Sequence, residues 1–77
     1  MPQASEKDRA WARKKFGGIT DSTIVDWLQS QGYVLNEAWQ WRLPPGTNQK
    51  NMPKDEVRAI VFLMDEWDYG GLEIKLT

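Results

Sequence analysis

Apolar residues recur at helical spacing in three stretches of this chain, and each stretch is bounded by residues that favour the start or the end of a helix. The first stretch follows Ser5, a good N-cap residue, and ends at Gly17-Gly18. Its narrow apolar stripe contains Trp11, Ala12 and Phe16. We therefore predict a peripheral helix that docks through its aromatic side chains, with residues 1–4 frayed before it.

The second stretch carries start and stop signals that agree. With Thr20 as the N-cap residue, Ile19 and Ile24 occupy the two positions of a hydrophobic staple. Gly32 fits the left-handed position after the helix, where Tyr33 can fold back onto the last turn as in a Schellman motif. The pattern predicts a second helix between Thr20 and Gly32.

The third stretch begins at Pro53, which suits the first turn of a helix, and ends at Gly70-Gly71. Its predicted core stripe consists of Val57, Ile60, Val61, Met64 and Trp67. With Gly71 in the left-handed position, Leu72 is expected to return to Trp67 in a second Schellman contact.

Between residues 33 and 43 the apolar period changes to two, which is typical of a half-buried strand. Glu37 interrupts the apolar face and indicates a bulge or a tight turn. Trp39 and Trp41 point to the same side of this strand, which makes at least one of them a candidate for the sheet edge. Pro44-Pro45 ends the strand because proline cannot donate a ladder hydrogen bond.

A short C-terminal strand is predicted from the alternation of Leu72, Ile74 and Leu76 with polar residues. We expect it to pair with the 33–43 strand. The predicted fold is α+β, with three helices packed on a small antiparallel sheet in the order α-α-β-α-β, and residues 1–77 form a single domain.

Composition limits both the core and the available chemistry. The chain has 77 residues, which is near the lower limit for a domain that folds without a covalent or metal staple. It has no cysteine and no histidine, which excludes disulfides and the usual zinc sites. It has five tryptophans, and their large buried areas are the ordinary way for so small a protein to gain stability.

The sequence contains no arrangement of residues that is typical of an enzyme. Ser22 and Thr23 have no histidine to activate them, no glycine-rich phosphate loop occurs, and no acidic spacing matches a calcium loop. We therefore predict a non-enzymatic protein with no cofactor and no metal ion.

Membrane insertion is not expected. The longest apolar run, Ala59 to Met64, is far too short to cross a bilayer. The N-terminus lacks the apolar segment of a signal peptide, so a cytoplasmic location and no membrane partner are predicted.

The formal net charge of −1 is distributed unevenly. Residues 1–16 carry five basic and two acidic side chains, residues 17–54 carry three of each, and residues 55–77 carry two basic and six acidic side chains. The chain therefore has a basic head and an acidic tail, and the acidic end is the stronger pole.

The acidic tail includes an unusual helix end. Asp65, Glu66 and Asp68 lie in the last turns of the third helix, where the negative end of the dipole disfavours each carboxylate by roughly 0.3–1 kcal/mol. Phe62 and Tyr69 share a face with Glu66 away from the predicted core stripe. We interpret Phe62, Asp65, Glu66, Asp68 and Tyr69 as a candidate protein-binding surface for a basic partner. The alternative is that the first helix covers the two aromatic residues and that the acids only solvate the surface.

The basic head makes nucleic acid the alternative partner. Arg9 and Arg13 lie one helical turn apart, Lys14 and Lys15 follow, and the neighbouring aromatic residues could stack on bases. The second helix, which would have to enter a groove, carries two acidic residues and no basic one, although affinity for duplex depends on neutralising phosphates. The pI near 5.3 also lacks the usual basic footprint.

We therefore predict a small non-enzymatic protein-binding module or inhibitor that masks a basic surface of another protein through the acidic–aromatic helix face. Compact, cofactor-free regulators of this kind are common among phage and mobile-element proteins, which is an analogy of size and composition. The alternative is a nucleic-acid-binding regulator that uses the basic N-terminal helix, and self-association is the third class considered.

Overall fold

Three helices and a two-stranded antiparallel hairpin make up residues 4–73, the part of the chain that this computed structural model describes. The elements are α1 (Glu6–Phe16), α2 (Asp21–Ser30), β1 (Val34–Leu35), β2 (Trp41–Arg42) and α3 (Lys54–Trp67). The predicted α+β class, with three helices on a small antiparallel sheet, is confirmed.

The ends of α1 and α2 follow the sequence signals. Ser5 Oγ accepts a hydrogen bond from the backbone N–H of Asp8 at 3.2 Å, and Gly17 ends α1 in the left-handed conformation with φ 76°. After α2, Gly32 has φ 103°, and the N–H of Tyr33 donates to the carbonyl of Leu28 at 3.1 Å. This is the 6→1 bond of the predicted Schellman motif.

The end of α3 differs from the prediction. Asp68, at φ 63°, takes the left-handed position that the sequence assigned to Gly71, and its N–H donates to the carbonyl of Met64 at 3.0 Å. Aspartate tolerates this conformation better than most residues because its short polar side chain can bond locally. The left-handed position therefore comes three residues earlier than predicted, and α3 ends at Trp67.

The stretch from 33 to 43 is a hairpin rather than one strand. β1 and β2 pair antiparallel in the register Val34↔Arg42 and Leu35↔Trp41. The tight turn indicated by Glu37 lies between them, and Asn36 Oδ1 accepts the backbone N–H groups of Ala38 at 2.8 Å and Gln40 at 2.9 Å. An asparagine that bonds the backbone two residues on favours a turn over a continuous strand.

The described end of the chain joins β2 on its other side. The N–H of Trp41 donates to the carbonyl of Gly71 at 2.9 Å, and the N–H of Glu73 donates to the carbonyl of Trp41 at 2.8 Å. Leu72 thus forms a bridge to Trp41, and the bridge is parallel. The rest of the predicted C-terminal strand, residues 74–76, lies outside the described residues.

The core lies between α2, α3 and the hairpin, and α1 covers one side of it. Its buried members are Ala12, Ile24, Leu28, Tyr33, Trp41, Ala59, Ile60, Phe62 and Leu63. The predicted stripe of α3 is wrong in part: Ile60 is buried, but Val57, Val61 and Met64 are exposed. Because α3 is apolar around most of its circumference, the period alone could not select the face that packs.

None of the helices in residues 4–73 has the length and apolar character that a membrane span requires.

Candidate functional site

The acidic–aromatic face predicted on α3 is largely covered. Phe62 is only 1% exposed and packs edge-to-face on Trp67, with ring centroids 5.8 Å apart. Phe62 is therefore not available on an exposed face, because α3 buries this side as well as the side that faces α2. Of the two interpretations of this face, coverage by the first helix applies at Glu66, which Arg9 of α1 contacts.

Glu66 is held by α1. Its carboxylate accepts hydrogen bonds from Arg9 Nε at 3.1 Å, from Arg9 Nη2 at 2.9 Å and from the backbone N–H of Ala4 at 3.1 Å. The hydrogen bonds from Arg9 lower the pKa of Glu66, and the same contact raises the pKa of Arg9. Both side chains are thus engaged in an intramolecular ion pair.

Two further ion pairs join the same helices. Arg58 Nη2 lies 2.9 Å from Asp8 Oδ1, and Lys15 Nζ lies 3.3 Å from Asp55 Oδ2. Arg9 near the start of α1 meets Glu66 near the end of α3, and Lys15 near the end of α1 meets Asp55 near the start of α3, so the two helices run antiparallel. Two cations of the basic head are therefore paired with carboxylates of the acidic tail across these two helices.

The residues considered for nucleic acid are divided by this arrangement. Arg9 and Lys15 contact acids of α3, and Lys15 Nζ also lies 4.7 Å from the ring centroid of Trp27. Arg13 and Lys14 remain exposed on α1. The four cations do not form one free patch.

Asp68 and Tyr69, the last two residues of the predicted set, line a different surface. They join Asp21, Trp39 and Trp67 around a cleft of about 390 Å³. The start of α2, the β1–β2 turn and the end of α3 meet here. We call it the Trp39 cleft. Asp65 lies before it on α3 and is half-buried.

Trp39 presents the largest apolar surface of the cleft. It is 56% exposed, and its ring meets that of Tyr69 edge-to-face at a centroid distance of 5.3 Å. Trp41, which was expected on the same face, is fully buried. The turn separates the two tryptophans because the chain reverses direction between them.

Gly70 brings the turn and the end of α3 together. A Cβ atom at this position would lie 2.8 Å from the carbonyl oxygen of Trp39 and 3.2 Å from that of Ala38. Real Cβ atoms do not approach backbone oxygens so closely. Glycine is needed here for close backbone contact, and it fixes the position of Trp39 relative to Tyr69.

Tyr69 links two of the three segments. Its hydroxyl donates to Asp21 Oδ2 at 3.0 Å. Burial, followed by the hydrogen bond to the Asp21 carboxylate, raises the pKa of Tyr69 to about 12. Tyr69 is thus a neutral hydrogen-bond donor at physiological pH, and it holds Asp21 beside the aromatic rings.

Backbone strain is concentrated at the same cleft. Among residues 4–73, Trp39 (φ 62°) and Asp68 (φ 63°) are the non-glycine residues with positive φ, and both line it. A bulky residue such as tryptophan in this conformation is a genuine outlier, and each such residue costs of order 1–3 kcal/mol. Strain of this kind is found preferentially at binding sites and other functional positions.

A family model described as "Phage Pam3 gp59 related protein" matches residues 1–76. The chain belongs to this family. No curated protein and no solved structure matches it. The phage relationship agrees with the origin expected from size and composition.

In this phage Pam3 gp59-related protein, the cleft places aromatic rings beside carboxylates. The faces of indole and phenol rings attract cations, and the carboxylates of Asp21 and Asp68 add negative charge beside them. In the part of the chain that the structure describes, no three acidic side chains converge as metal ligands do.

Asp21 lines the cleft of this family member without having been predicted there, and Trp39 was predicted only as a possible edge residue. Asp21 reaches the cleft because α2 begins where α3 ends, which is a tertiary relation with no local signal. For Trp39 a signal was present: Asn36 followed by Glu37 favours a turn, and a turn displaces Trp39 from the alternating face.

Proposed function

We propose that this protein is a small, non-enzymatic, phage-type binding module that masks a basic surface of another protein. The observation that carries the proposal is the exposed ring of Trp39 beside the carboxylates of Asp21 and Asp68 in one preformed cleft. The proposal keeps the acidic and aromatic side chains that the sequence suggested for a basic partner. It moves the binding surface from the predicted face of α3 to the Trp39 cleft.

The chain's own contacts support a preference for cations. Arg58 lies over the ring of Trp11 at 4.7 Å, and Lys15 lies over the ring of Trp27 at the same distance. Trp39 is the tryptophan with a largely exposed ring among residues 4–73. A cation from a partner would give Trp39 the contact that the internal cations give Trp11 and Trp27.

Energetics favour an arginine or lysine side chain as the anchor. A cation over an aromatic face gains about 0.5–1 kcal/mol at an exposed site and about 2 kcal/mol when desolvated. The hydrogen bond from Tyr69 and the contact at Gly70 hold the cleft in shape before binding, so less ordering entropy opposes association. When a basic side chain of the partner binds in the cleft, this protein would cover the partner's surface around that side chain and block access to it.

The first test uses short peptides as probes. Titration of ¹⁵N-labelled protein with an arginine-rich peptide should move the indole N–H signal of Trp39 and leave that of buried Trp41 in place. A glutamate-rich peptide of the same length should move neither. The shifts give the dissociation constant directly.

Two variants with matched controls assign the site. Asp68→Asn keeps a residue that tolerates positive φ and removes the charge, and it should weaken peptide binding three- to tenfold, or about 1 kcal/mol. Asp26→Asn removes an exposed acid of α2 outside the cleft and should leave affinity within twofold. Trp39→Ala should abolish binding, and Val34→Ala, another exposed apolar residue, should not. Equal losses in Asp68→Asn and Asp26→Asn would reduce the effect to net charge and reject the cleft.

A further inference from the structure

The exposed side of α3 carries an apolar stripe that does not belong to the buried core of residues 4–73. Val57, Val61 and Met64 are 40%, 44% and 38% exposed and recur at the i, i+4, i+7 spacing of one helix face. Met52 and Leu72 flank them around a groove of about 340 Å³. The stripe lies on the side of α3 away from α1, and the residues that line the groove are not those of the Trp39 cleft.

Charges at the two ends of this stripe have opposite sign. Lys54 precedes Val57 at the first turn of α3, and Asp65 follows Val61 one turn later near the last turn. Both charges oppose the helix dipole, since a cation is disfavoured at the N-terminus and an anion at the C-terminus. Within one molecule this arrangement is unfavourable.

In an antiparallel pair of two copies, the charges of Lys54 and Asp65 become favourable. When two α3 helices pack against each other in opposite directions, Lys54 of each copy meets Asp65 of the other. The same surface is used on both sides, as a two-fold symmetric contact requires. Short valine side chains at the centre allow the helix axes to approach to about 8–10 Å.

We propose that α3 mediates an antiparallel homodimer through Val57, Val61 and Met64, with two symmetric Lys54–Asp65 ion pairs at its ends. The occupant of the groove is a second copy of this chain, because the charges of the stripe are complementary to themselves under a two-fold rotation. A helix of 14 residues is about 21 Å long, so the contact is smaller than a standard interface and the dimer is of moderate affinity.

Charge exchange between two variants tests the geometry. Lys54→Glu and Asp65→Lys should each be monomeric, because each creates like charges at both ends of the antiparallel pair. An equimolar mixture should form a heterodimer, since the glutamate introduced in one variant then meets the lysine introduced in the other. Both changes suit the helix dipole better than the native residues, so the fold should survive. Sedimentation equilibrium measures the masses, and circular dichroism checks the helix content.

A second pair of variants tests the apolar centre. Val61→Lys should raise the dimer dissociation constant at least tenfold, whereas Val34→Lys, at an exposed valine of the hairpin, should leave it within twofold. Trp39→Ala should also dimerise normally, which separates this contact from the cleft. A native chain that stays monomeric up to about 1 mM, or a mixture of the charge variants that stays monomeric, would overturn the proposal, even if another apolar helix binds the groove.

Discussion

At the scale of single residues, the candidate site depends on three unusual backbone positions. Trp39 and Asp68 adopt left-handed conformations, and Gly70 accepts a backbone contact that no other residue could. Each is costly or restrictive by itself, and together they hold an exposed indole ring next to two carboxylates. The cleft is therefore specified by backbone geometry as much as by the side chains that line it.

Gly70→Ala tests this dependence. The added Cβ would lie 2.8 Å from the carbonyl oxygen of Trp39, so the turn and the end of α3 must separate. We expect the free energy of unfolding to fall by about 1–3 kcal/mol, as for other overpacked sites. The Trp39 and Tyr69 resonances should also shift. Urea denaturation and NMR measure the two effects.

Gly18→Ala is the matched control for this substitution. No atom lies within 4 Å of the Cβ at Gly18, and its φ is not positive. Stability should be unchanged or rise by up to about 1 kcal/mol. Similar losses in the two variants would show that glycine content, and not the contact with Trp39, sets the effect.

At the scale of elements, α3 organises the molecule because it is apolar around most of its surface. One side packs on α2, a neighbouring side is covered by α1, and a third carries the exposed stripe. The covering by α1 is largely electrostatic at its ends, where Arg9 binds Glu66 and Lys15 binds Asp55. Attachment of α1 should therefore respond to pH.

Acid should weaken the attachment through Glu66. Its folded-state pKa lies below the unfolded value, which is about 4.3, so the stabilisation is complete above that pH and is lost as pH falls through the lower folded value. Glu66→Gln should be less stable than the native chain at neutral pH and should lose less stability on acidification. Thermal unfolding as a function of pH gives both slopes. Arg9→Gln should flatten the slope similarly, and an unaltered slope in both variants would exclude the pair as its source.

The boundaries of the helices could largely be predicted from the sequence, but the faces through which they pack could not. Ser5, Gly17 and Gly32 cap α1 and α2 as predicted because capping depends on neighbouring residues only. Which side of α3 is buried depends on α1, whose approach has no local signal. The 33–43 stretch was predicted as one strand because apolar residues alternate on both sides of the turn, and Glu37 indicated only that the strand is interrupted.

At the scale of the whole molecule, the uneven charge of the sequence produces ion pairs within the fold. The basic N-terminal helix lies antiparallel to the acidic helix α3, and three ion pairs connect them. Two of the five basic side chains in the N-terminal stretch, Arg9 and Lys15, are thereby paired with acids of α3, whereas Arg13 and Lys14 remain exposed. The acids that remain at the Trp39 cleft set the charge that a partner meets there.

Duplex DNA should accordingly bind weakly. With Arg9 and Lys15 engaged by acids, we expect a dissociation constant weaker than about 10⁻⁴ M at about 0.15 M salt. Fluorescence anisotropy with a labelled duplex measures it. Micromolar, salt-sensitive binding that disappears in Arg13→Ala combined with Lys14→Ala would instead support the nucleic-acid alternative.

The position of β2 determines when the protein can fold relative to its synthesis. Trp41 is paired with Leu35 on one side and hydrogen-bonded to the backbone of Gly71 and Glu73 on the other, so the central strand is completed by residues far along the chain. During synthesis the N-terminal part emerges first. The core around Trp41 cannot close until residues 71–73 have left the ribosome, and this protein must therefore fold after almost all of the sequence described here has been translated.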